Sequence, residues 1–354
     1  MIPKKLYSNS QFSSDIPSPI SRIVEPSSEF YSNFSQQEVL ELIQALEIRR
    51  EIPLKYSYKG RGAKIWNNFY QRYIVPKWYQ TPNVEIDLLN KNFDYINSSY
   101  KDCDKINILD VGSGNSYPVK KFVSRLNKLG KIHKYIALDI SPELLTLSKA
   151  NFTKWFPSVE FDSYTIDIDN SFIPTKVWQK SSSNNTKNIA NIFLHLGVTI
   201  GNHQDRINVL QNLKNSMSQN DLLVFTNEIG SNFHWDGTVR GGCKYHVEEI
   251  YTWMKDKIGI SDKDCELVRK YDLTTDSITA NIKFNRNYTV NFSQSGIDKN
   301  LNFSKDEEIT IWRHHKYEMP ELIQELATAG LQIAHYSCNK YLTHIMVICR
   351  LADS

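Results

Sequence analysis

The chain has 354 residues, enough for one large domain or two of ordinary size, and its 40% hydrophobic and 23% charged residues are typical of a globular protein. The 42 basic residues nearly balance the 39 acidic ones and form no dense basic tract, so charge disfavours a nucleic-acid-binding protein. Five widely spaced cysteines without a CxxC pair disfavour a disulfide framework and a zinc site, and they favour a reducing compartment.

The first 35 residues are rich in Ser, Pro and Asn, and we expect an extended or partly disordered segment there. They lack the apolar stretch of a signal peptide, and no apolar run in the chain approaches about 18 residues, so we expect a soluble, cytoplasmic protein. From Gln36 to Arg50 apolar residues recur at helical spacing. Ser35 directly precedes this stretch and Glu38 follows Ser35 three residues later, a spacing that resembles a capping box and predicts a helix.

From about Ile106 short apolar runs alternate with helix-like stretches, the pattern of a mostly parallel sheet with crossover helices. Strands are predicted at Ile106–Val111, Tyr135–Leu138, Glu160–Ile166, Ile189–Leu196 and Leu222–Asn227, with a closing hairpin at Leu331–His335 and Thr343–Arg350. Helices are predicted at Val119–Leu129, after Ser141-Pro142, at Asp205–Met217 and at Glu321–Ala329. The alternation breaks between about Gly230 and Glu308, which indicates an insertion.

The strongest local motif is Ile108–Ser116, an apolar strand that ends in an acid and continues into glycines. Glycine lets the backbone approach a ligand closely, and the N–H groups of a following helix can bind a carboxylate. This arrangement suits the methionine end of S-adenosylmethionine (SAM). A plain turn is one alternative. Nicotinamide binding is another, but Tyr117 stands where the third glycine of that pattern belongs.

Three polar residues follow the next predicted strands. Asp139 ends the second strand, where a carboxylate can accept hydrogen bonds from both ribose hydroxyls, and Asp167 after the third strand can accept one from the adenine amino group. Helix capping for Asp139 and a solvent-facing position for Asp167 are the alternatives. Asn202 follows the fourth strand, and its amide can orient an amine or a carboxylate, unless it is only a turn residue.

Four segments occur in an order that resembles the histidine-specific Nα-methyltransferase family, namely Tyr58–Trp66, Pro76–Glu85, Leu109–Gly114 and Leu196–Asn202. The resemblance extends from about Tyr56 to Arg350 and includes Trp312–Tyr317 and Ala329–Leu331. That family includes the ergothioneine-pathway enzyme and fungal N-methyltransferases that act on prenylated tryptophan. The resemblance implies an α/β, Rossmann-like SAM-dependent methyltransferase fold with an inserted substrate-binding domain.

The resemblance also implies a division of the chain and a set of site residues. Residues 1–35 would be a flexible segment, 36–80 and 230–310 the substrate-binding domain, and 81–229 and 311–354 the SAM-binding domain. SAM and its product S-adenosylhomocysteine (SAH) would be bound by Asp110, Gly112, Gly114, Ser116, Asp139, Ile140, Asp167 and Ile168. The candidate catalytic residues are Tyr58, Asn202 and His314, and the substrate-binding set adds Trp78, Tyr79 and Trp312.

Several positions depart from the family pattern. Trp312 and His314 stand where the histidine enzyme has a Glu and a Ser that recognise imidazole, so we do not expect histidine as the substrate. Trp78 replaces a pocket Tyr. Pro118 replaces a Lys that can meet the SAM carboxylate, and Lys120 or Lys121 are candidates to substitute for it. The expected acceptor is a small aromatic or indole-like amine, amino acid or secondary metabolite.

The predicted reaction is an in-line displacement that mainly requires a neutral amine held in position. His203 and His315 are further candidates, beside those named above, to assist deprotonation. We expect a small-molecule substrate and no nucleic acid, because Thr199–Asn202 stands where nucleic-acid base methyltransferases usually carry an Asn/Asp-Pro-Pro-aromatic tetrad. No membrane partner is expected, and the expected state is a monomer. O- or C-methylation of a natural product, or SAM binding without turnover, are the alternative functions.

Overall fold

The computed structural model describes residues 21–74, 81–178, 188–233, 250–294 and 296–352. Within these ranges the chain forms a seven-stranded central sheet with helices on both faces, and a second unit that contains two three-stranded sheets. The described part of the chain contains no helix long and apolar enough to span a membrane.

The secondary structure follows the sequence patterns closely. The strands in chain order are β1 (Arg22–Val24), β2 (Lys105–Val111), β3 (Ile132–Asp139), β4 (Glu160–Thr165), β5 (Ile189–His195), β6 (Leu222–Glu228), β7 (Cys265–Asp272), β8 (Ser277–Phe284), β9 (Tyr288–Phe292), β10 (Lys299–Phe303), β11 (Glu308–His314), β12 (Leu331–Cys338) and β13 (His344–Leu351). The helices are α1 (Ser28–Asn33), α2 (Gln36–Ile48), α3 (Arg61–Phe69), α4 (Thr81–Lys91), α5 (Phe93–Ser99), α6 (Lys120–Lys128), α7 (Pro142–Trp155), α8 (Arg206–Asn215), α9 (Thr252–Lys257) and α10 (Met319–Thr328).

The central sheet has the strand order β12-β13-β6-β5-β2-β3-β4. Strands β2 to β6 are parallel, and β13 lies antiparallel between β6 and β12, which confirms the predicted closing hairpin. The chain runs from β2 outward to β4 and then returns to place β5 on the other side of β2. Parallel sheets bind ligands at this reversal, beyond the carboxyl ends of the strands. The Rossmann-like α/β fold is therefore confirmed.

Strand β2 lies inside the sheet between β5 and β3, and it presents apolar side chains to the helices on both faces. Ile108 packs with Phe122 of α6 in the core on one face, and Leu109 and Val111 pack with Val209 of α8 in the core on the other. A near-continuous apolar sequence is typical of a parallel strand that helices cover on both sides. The expected crossover helices are thus explained by the burial of both sheet faces.

Two helix starts confirm the capping signals in the sequence. At α2 the backbone N–H of Ser35 donates to the Glu38 carboxylate at 2.9 Å, and the N–H of Glu38 donates to the Ser35 hydroxyl at 3.4 Å. At α7 the Ser141 hydroxyl accepts the N–H of Leu144 at 3.3 Å, and Pro142 occupies the first turn. Both caps satisfy N–H groups that a helix start would otherwise leave without partners.

The second unit has its own apolar core. Its antiparallel sheet has the order β11-β8-β7, and its other sheet has the order β1-β9-β10 with β1 parallel to β9. Phe30 and Leu46 from the N-terminal helices pack in one cluster with Tyr288 and Phe292 of β9. The N-terminal helices and the insertion therefore build a single core together.

The structure corrects two of the predicted boundaries. Residues 1–35 were expected to be flexible, but Arg22–Val24 pairs with β9 and α1 buries Phe30 in the second unit; residues 1–20 lie outside the described ranges. The boundary after residue 310 divides β11, whose pairing with β8 continues from Glu308 to His314. The pairing explains both differences, because each segment completes a sheet whose other strands are distant in sequence.

Candidate active site

A cavity of 560 Å³ lies beyond the carboxyl ends of β2, β3, β4 and β5. This is the edge at which β2 and β5 are neighbours and the chain reverses direction across the sheet. Residues that follow the strands form one side of the cavity, and residues of the second unit form the other. The lining includes Glu41, Lys55, Tyr58, Trp66, Gly112, Gly114, Asp139, Ile140, Asp167, Ile168, His195, Asn202 and His203.

The glycine turn after β2 forms part of this wall. Gly112 has φ +74°, and a Cβ added there would meet no atom within 4 Å. Gly114 has φ +52°, and a Cβ added there would lie 2.6 Å from the ring carbon Cη2 of Trp66. Both torsions strongly favour glycine. The turn therefore offers bare backbone to the cavity at Gly112 and admits the Trp66 ring at Gly114.

Asp139 is held rigidly at the end of β3. Its carboxylate accepts the backbone N–H of Gly114 at 2.9 Å and that of Ser141 at 3.0 Å. Burial raises the pKa of Asp139 to about 6, although these N–H groups oppose the shift. The side chain is thus fixed by the backbone, lines the cavity and keeps lone pairs for a ligand.

Asp167 and Ile168 also line the cavity, but the Asp167 carboxylate already has several partners. Its Oδ2 lies 2.7 Å from Nζ of Lys55 and 2.8 Å from the Asn170 amide. Lys55 also contacts Glu41 at 2.9 Å. Lys55 belongs to the turn Leu54–Tyr58, so this ion pair joins the second unit to the central sheet directly at the cavity.

Two of the predicted cofactor residues, Asp110 and Ser116, lie behind the glycine turn and do not line the cavity. The Tyr135 hydroxyl donates to the Asp110 carboxylate, and burial raises the pKa of Asp110 to about 7. The Ser116 hydroxyl is hydrogen-bonded to the Tyr135 hydroxyl at 2.8 Å and to Ser148. These contacts within the interior indicate that both residues support the turn.

Tyr58 and Asn202 come from different units and line the same cavity. Tyr58 ends the 3-10 turn Leu54–Tyr58, and its hydroxyl lies 3.1 Å from that of Tyr251. Asn202 ends the 3-10 turn Ile200–Asn202, and its Oδ1 lies 3.3 Å from Nδ1 of His314. The structure therefore brings a phenol and an amide together beside the glycine turn.

Trp312 and His314 do not line the cavity, in contrast to the prediction. Trp312 packs in the core of the second unit, 6.4 Å between ring centroids from Tyr251. His314 is buried behind Asn202, and its Nε2 lies 3.2 Å from the carboxylate of Glu228. Their positions on β11, a strand of the second unit's sheet, explain why they are buried. Trp78 and Tyr79 lie outside the described residues.

Of the other candidate bases, His315 is buried against Glu321 and His203 lines the cavity. Sequence reasoning missed His195, Lys55 and Trp66 as lining residues. His195 ends a buried strand, and a polar side chain at that place is a signal that the sequence does contain. Lys55 and Trp66 reach the cavity only through the packing of the second unit, which no local pattern reveals.

Comparison with known proteins agrees with this architecture. The family model described as "Histidine-specific methyltransferase, SAM-dependent" matches residues 35–231. The chain is 25% identical over 189 residues to Ergothioneine biosynthesis protein 1 of Neurospora crassa. That match covers 53% of this chain and 20% of the relative, so the chain matches only about a fifth of the relative's length.

Solved structures of methyltransferases resemble the chain at low identity. A SAM-dependent methyltransferase from Clostridium acetobutylicum has 13% identity and a TM-score of 0.43, with 81% of this chain and 99% of that one covered. Magnesium protoporphyrin IX methyltransferase from Synechocystis, solved with SAH, has 10% identity and a TM-score of 0.44, with 84% and 98% covered. Because the family model matches more than half of its residues, the chain belongs to the family of histidine-specific, SAM-dependent methyltransferases, and its cofactor is SAM.

Proposed function

We propose that this methyltransferase transfers the methyl group of SAM to the nitrogen of a small aromatic or indole-like amine, amino acid or secondary metabolite other than histidine. One observation carries the proposal: Tyr58 and Asn202 line the same cavity as Gly112 and Asp139. A hydroxyl and an amide that can hold an amine thus lie beside backbone and carboxylate groups that suit SAM. The second unit, with residues 21–74, 250–294 and 296–314 in its described part, supplies the acceptor side.

The cavity's cofactor side fits SAM by the chemistry of its groups. Bare backbone at Gly112 admits the methionine portion, and the fixed carboxylate of Asp139 can accept both ribose hydroxyls. Asp167 and Ile168 flank the expected adenine position. A carboxylate has about four acceptor sites, and Asp167 already accepts from Lys55, the Asn170 amide and the Asp169 N–H, so about one site is left for an adenine amino group.

The acceptor side contributes mainly by positioning. SAM, when bound, supplies a methyl group on a positively charged sulfur. Tyr58 Oη and the Asn202 amide hold the acceptor amine so that its lone pair points along the displacement line, which accounts for much of the rate. An amine has a lone pair only when neutral, so the acceptor must enter the site as the neutral amine or lose its proton to solvent before the transfer.

The preference against histidine follows from the imidazole positions. Trp312 and His314 stand where the resemblance places the groups that recognise imidazole, and both side chains are buried outside the cavity wall. In their place the cavity offers the flat ring of Trp66, which stacks on Tyr70 with 5.1 Å between centroids. An aromatic ring of this kind favours a flat or cationic acceptor.

A methyl-transfer assay tests the proposal. The protein is incubated with SAM and, separately, with tryptophan, tryptamine, tyrosine, tyramine and histidine, and products are measured by mass spectrometry. We expect N-methylation of an indole or phenol amine and no product from histidine. Trimethylated histidine at a comparable rate would contradict the proposed substrate class, and methylation only at oxygen or carbon would contradict N-methylation.

Variants of the acceptor side test the roles of its residues. Tyr58→Phe is expected to lower kcat/KM for the acceptor by about tenfold, the effect of one hydrogen bond, while SAH affinity stays within twofold. Tyr95→Phe is the matched control, because the Tyr95 hydroxyl donates to the Ala334 carbonyl outside the cavity. An unchanged kcat/KM in Tyr58→Phe would remove Tyr58 from the proposed mechanism.

A further inference from the structure

Two histidines line the cavity where β2 and β5 meet, and the proposed mechanism uses neither of them. His195 is the last residue of β5, and His203 follows the turn Ile200–Asn202. Their ring centroids lie 5.9 Å apart with 27° between the ring planes. Both Nε2 atoms are buried without a hydrogen-bond partner among the residues that the structure describes. Buried polar atoms rarely stay unsatisfied, so a ligand in the cavity is the expected partner.

The contact of His195 with the backbone determines what its Nε2 can do. Nδ1 lies 3.0 Å from the carbonyl oxygen of Val111, which can only accept a hydrogen bond. Nδ1 therefore carries the hydrogen, and Nε2 of the neutral ring is an acceptor. Burial, together with the positive charge on His203, lowers the pKa of His195 to about 4. His195 thus presents a hydrogen-bond acceptor at neutral pH.

His203 has the opposite polarity. Its Nδ1 lies 2.7 Å from the carboxylate of Asp169, so this nitrogen also carries a hydrogen. Burial alone would lower the pKa of His203, but the Asp169 carboxylate outweighs it and the pKa is raised. In the protonated ring Nε2 is a donor. The pair therefore offers one acceptor and one donor to the same cavity.

The two contacts place the pair on the cofactor side. Val111, which holds His195, directly precedes Gly112 of the glycine turn, and Asp169, which holds His203, directly follows Ile168. The edge of adenine offers an amino donor next to a ring-nitrogen acceptor, which is the complement of this pair. The amino group has two hydrogens, so it can donate one to Asp167 and the other to a second acceptor. We propose that His195 accepts a hydrogen bond from the adenine amino group of SAM and that His203 donates one to an adenine ring nitrogen.

This proposal concerns the cofactor, so it does not depend on which acceptor is methylated. Its first test is calorimetric titration of the full chain with SAH, a binding measurement that needs no turnover. His195→Asn and His203→Asn keep an amide near the Nδ1 position and remove Nε2. Each is expected to weaken SAH binding by about tenfold, the effect of one hydrogen bond. His133→Asn is the matched control, because His133 lies near the start of β3 and Asp139 is the last residue of the same strand. This variant should bind SAH like the wild type.

A second measurement uses only the wild-type protein and remains informative if a variant fails to fold. The groups that face His203 are Asp169, Asp167 and His195, with Lys55 bonded to Asp167. Since the ligand contacts protonated His203, SAH affinity should be highest below the raised pKa of His203 and fall as the pH rises through it. The fall should be absent in His203→Asn. Protonation of Asp139, whose pKa is about 6, weakens binding as the pH falls, so its effect has the opposite sign to that of His203.

The third measurement identifies the atoms contacted. In S-inosylhomocysteine a carbonyl replaces the adenine amino group. Its oxygen cannot donate a hydrogen bond to Nε2 of His195, because both atoms are hydrogen-bond acceptors. The wild type should bind SAH at least tenfold more tightly than this analogue, and His195→Asn should reduce that ratio. Unchanged SAH affinity in both folded Asn variants would overturn the proposal. The proposal would also be overturned if the variants raised the KM of the methyl-accepting substrate and left SAH affinity unaltered. The two histidines would then contact that substrate and not the cofactor.

Discussion

The two sides of the cavity are held in different ways. On the central-sheet side, Asp139 is fixed by the backbone N–H groups of Gly114 and Ser141, and His195 by the backbone carbonyl of Val111. On the other side, Lys55 and Tyr58 reach the cavity from a short turn and are held by the side chains of Glu41, Asp167 and Tyr251. Backbone contacts depend on the fold, whereas side-chain contacts depend on individual residues.

This difference suggests how the family can keep its cofactor while changing its acceptor. The groups expected to bind SAM follow from the strand order, because the ends of β2, β3, β4 and β5 must meet at one edge. The proposed acceptor side is formed by segments that pack from the second unit. A substitution there changes the shape of the cavity without disturbing the sheet.

The largest expected effect is that of Asp139→Ala on the cofactor side. The substitution removes a fixed acceptor for ribose and leaves two buried N–H groups without their partner. Hydrogen bonds to a charged group contribute about 1.5–3 kcal/mol each, so SAH affinity should fall about 100-fold. Calorimetry measures the loss, and Asp94→Ala, with its exposed carboxylate, serves as the control. An affinity within twofold of the wild type would refute the assignment of Asp139 to the ribose.

The next effect concerns stability instead of binding, and it is expected where the two units touch at Gly114. An alanine there has both an unfavourable positive φ and a Cβ 2.6 Å from Trp66, so we expect the free energy of unfolding to fall by about 2–4 kcal/mol. Gly130→Ala is the matched control, because Gly130 has φ +65° and open space around its Cβ, so only the backbone cost of about 1–2 kcal/mol applies. Thermal unfolding monitored by circular dichroism compares them. Equal losses in the two variants would show that the Trp66 contact contributes nothing.

The sequence predicted the central sheet well because local patterns determine it. Continuous apolar runs such as Ile106–Val111 and the caps at Ser35 and Ser141 are signals within a few residues. Strand β1 was missed because three residues in a Ser- and Pro-rich segment give no signal. Its partner β9 lies more than 260 residues away, so only the tertiary structure reveals the pairing.

Two candidate site residues were predictable because they lie at the end of a predicted strand or in the loop after it. Asp139 and Asn202 were found in this way, and both line the cavity. Asp110 and Ser116 belong to the same motif as Gly112, but proximity in sequence does not show which side of the turn a side chain occupies. Trp312 was placed by resemblance alone, and the packing of β11 decides its burial.

The smallest expected effect is that of Lys55→Met, which removes the ion pair between the units. Lys55 is largely buried between Glu41 and Asp167, so the variant leaves two carboxylates facing each other without their shared cation. Their repulsion is expected to lower the free energy of unfolding by about 1 kcal/mol and to raise the acceptor KM about threefold, with less change in SAH affinity.

Lys299→Met provides the control for this last effect, because Lys299 pairs with Glu47 through side chains that are 40% and 50% exposed. Exposed pairs contribute little, so that variant should unfold like the wild type. Salt separates the two cases further, since screening weakens the repulsion between the carboxylates and should partly restore the Lys55→Met variant. A larger change in SAH affinity than in acceptor KM would show that Lys55 serves the cofactor side. Lys55 would then act mainly through its ion pair with Asp167, and its assignment to the acceptor side would be wrong.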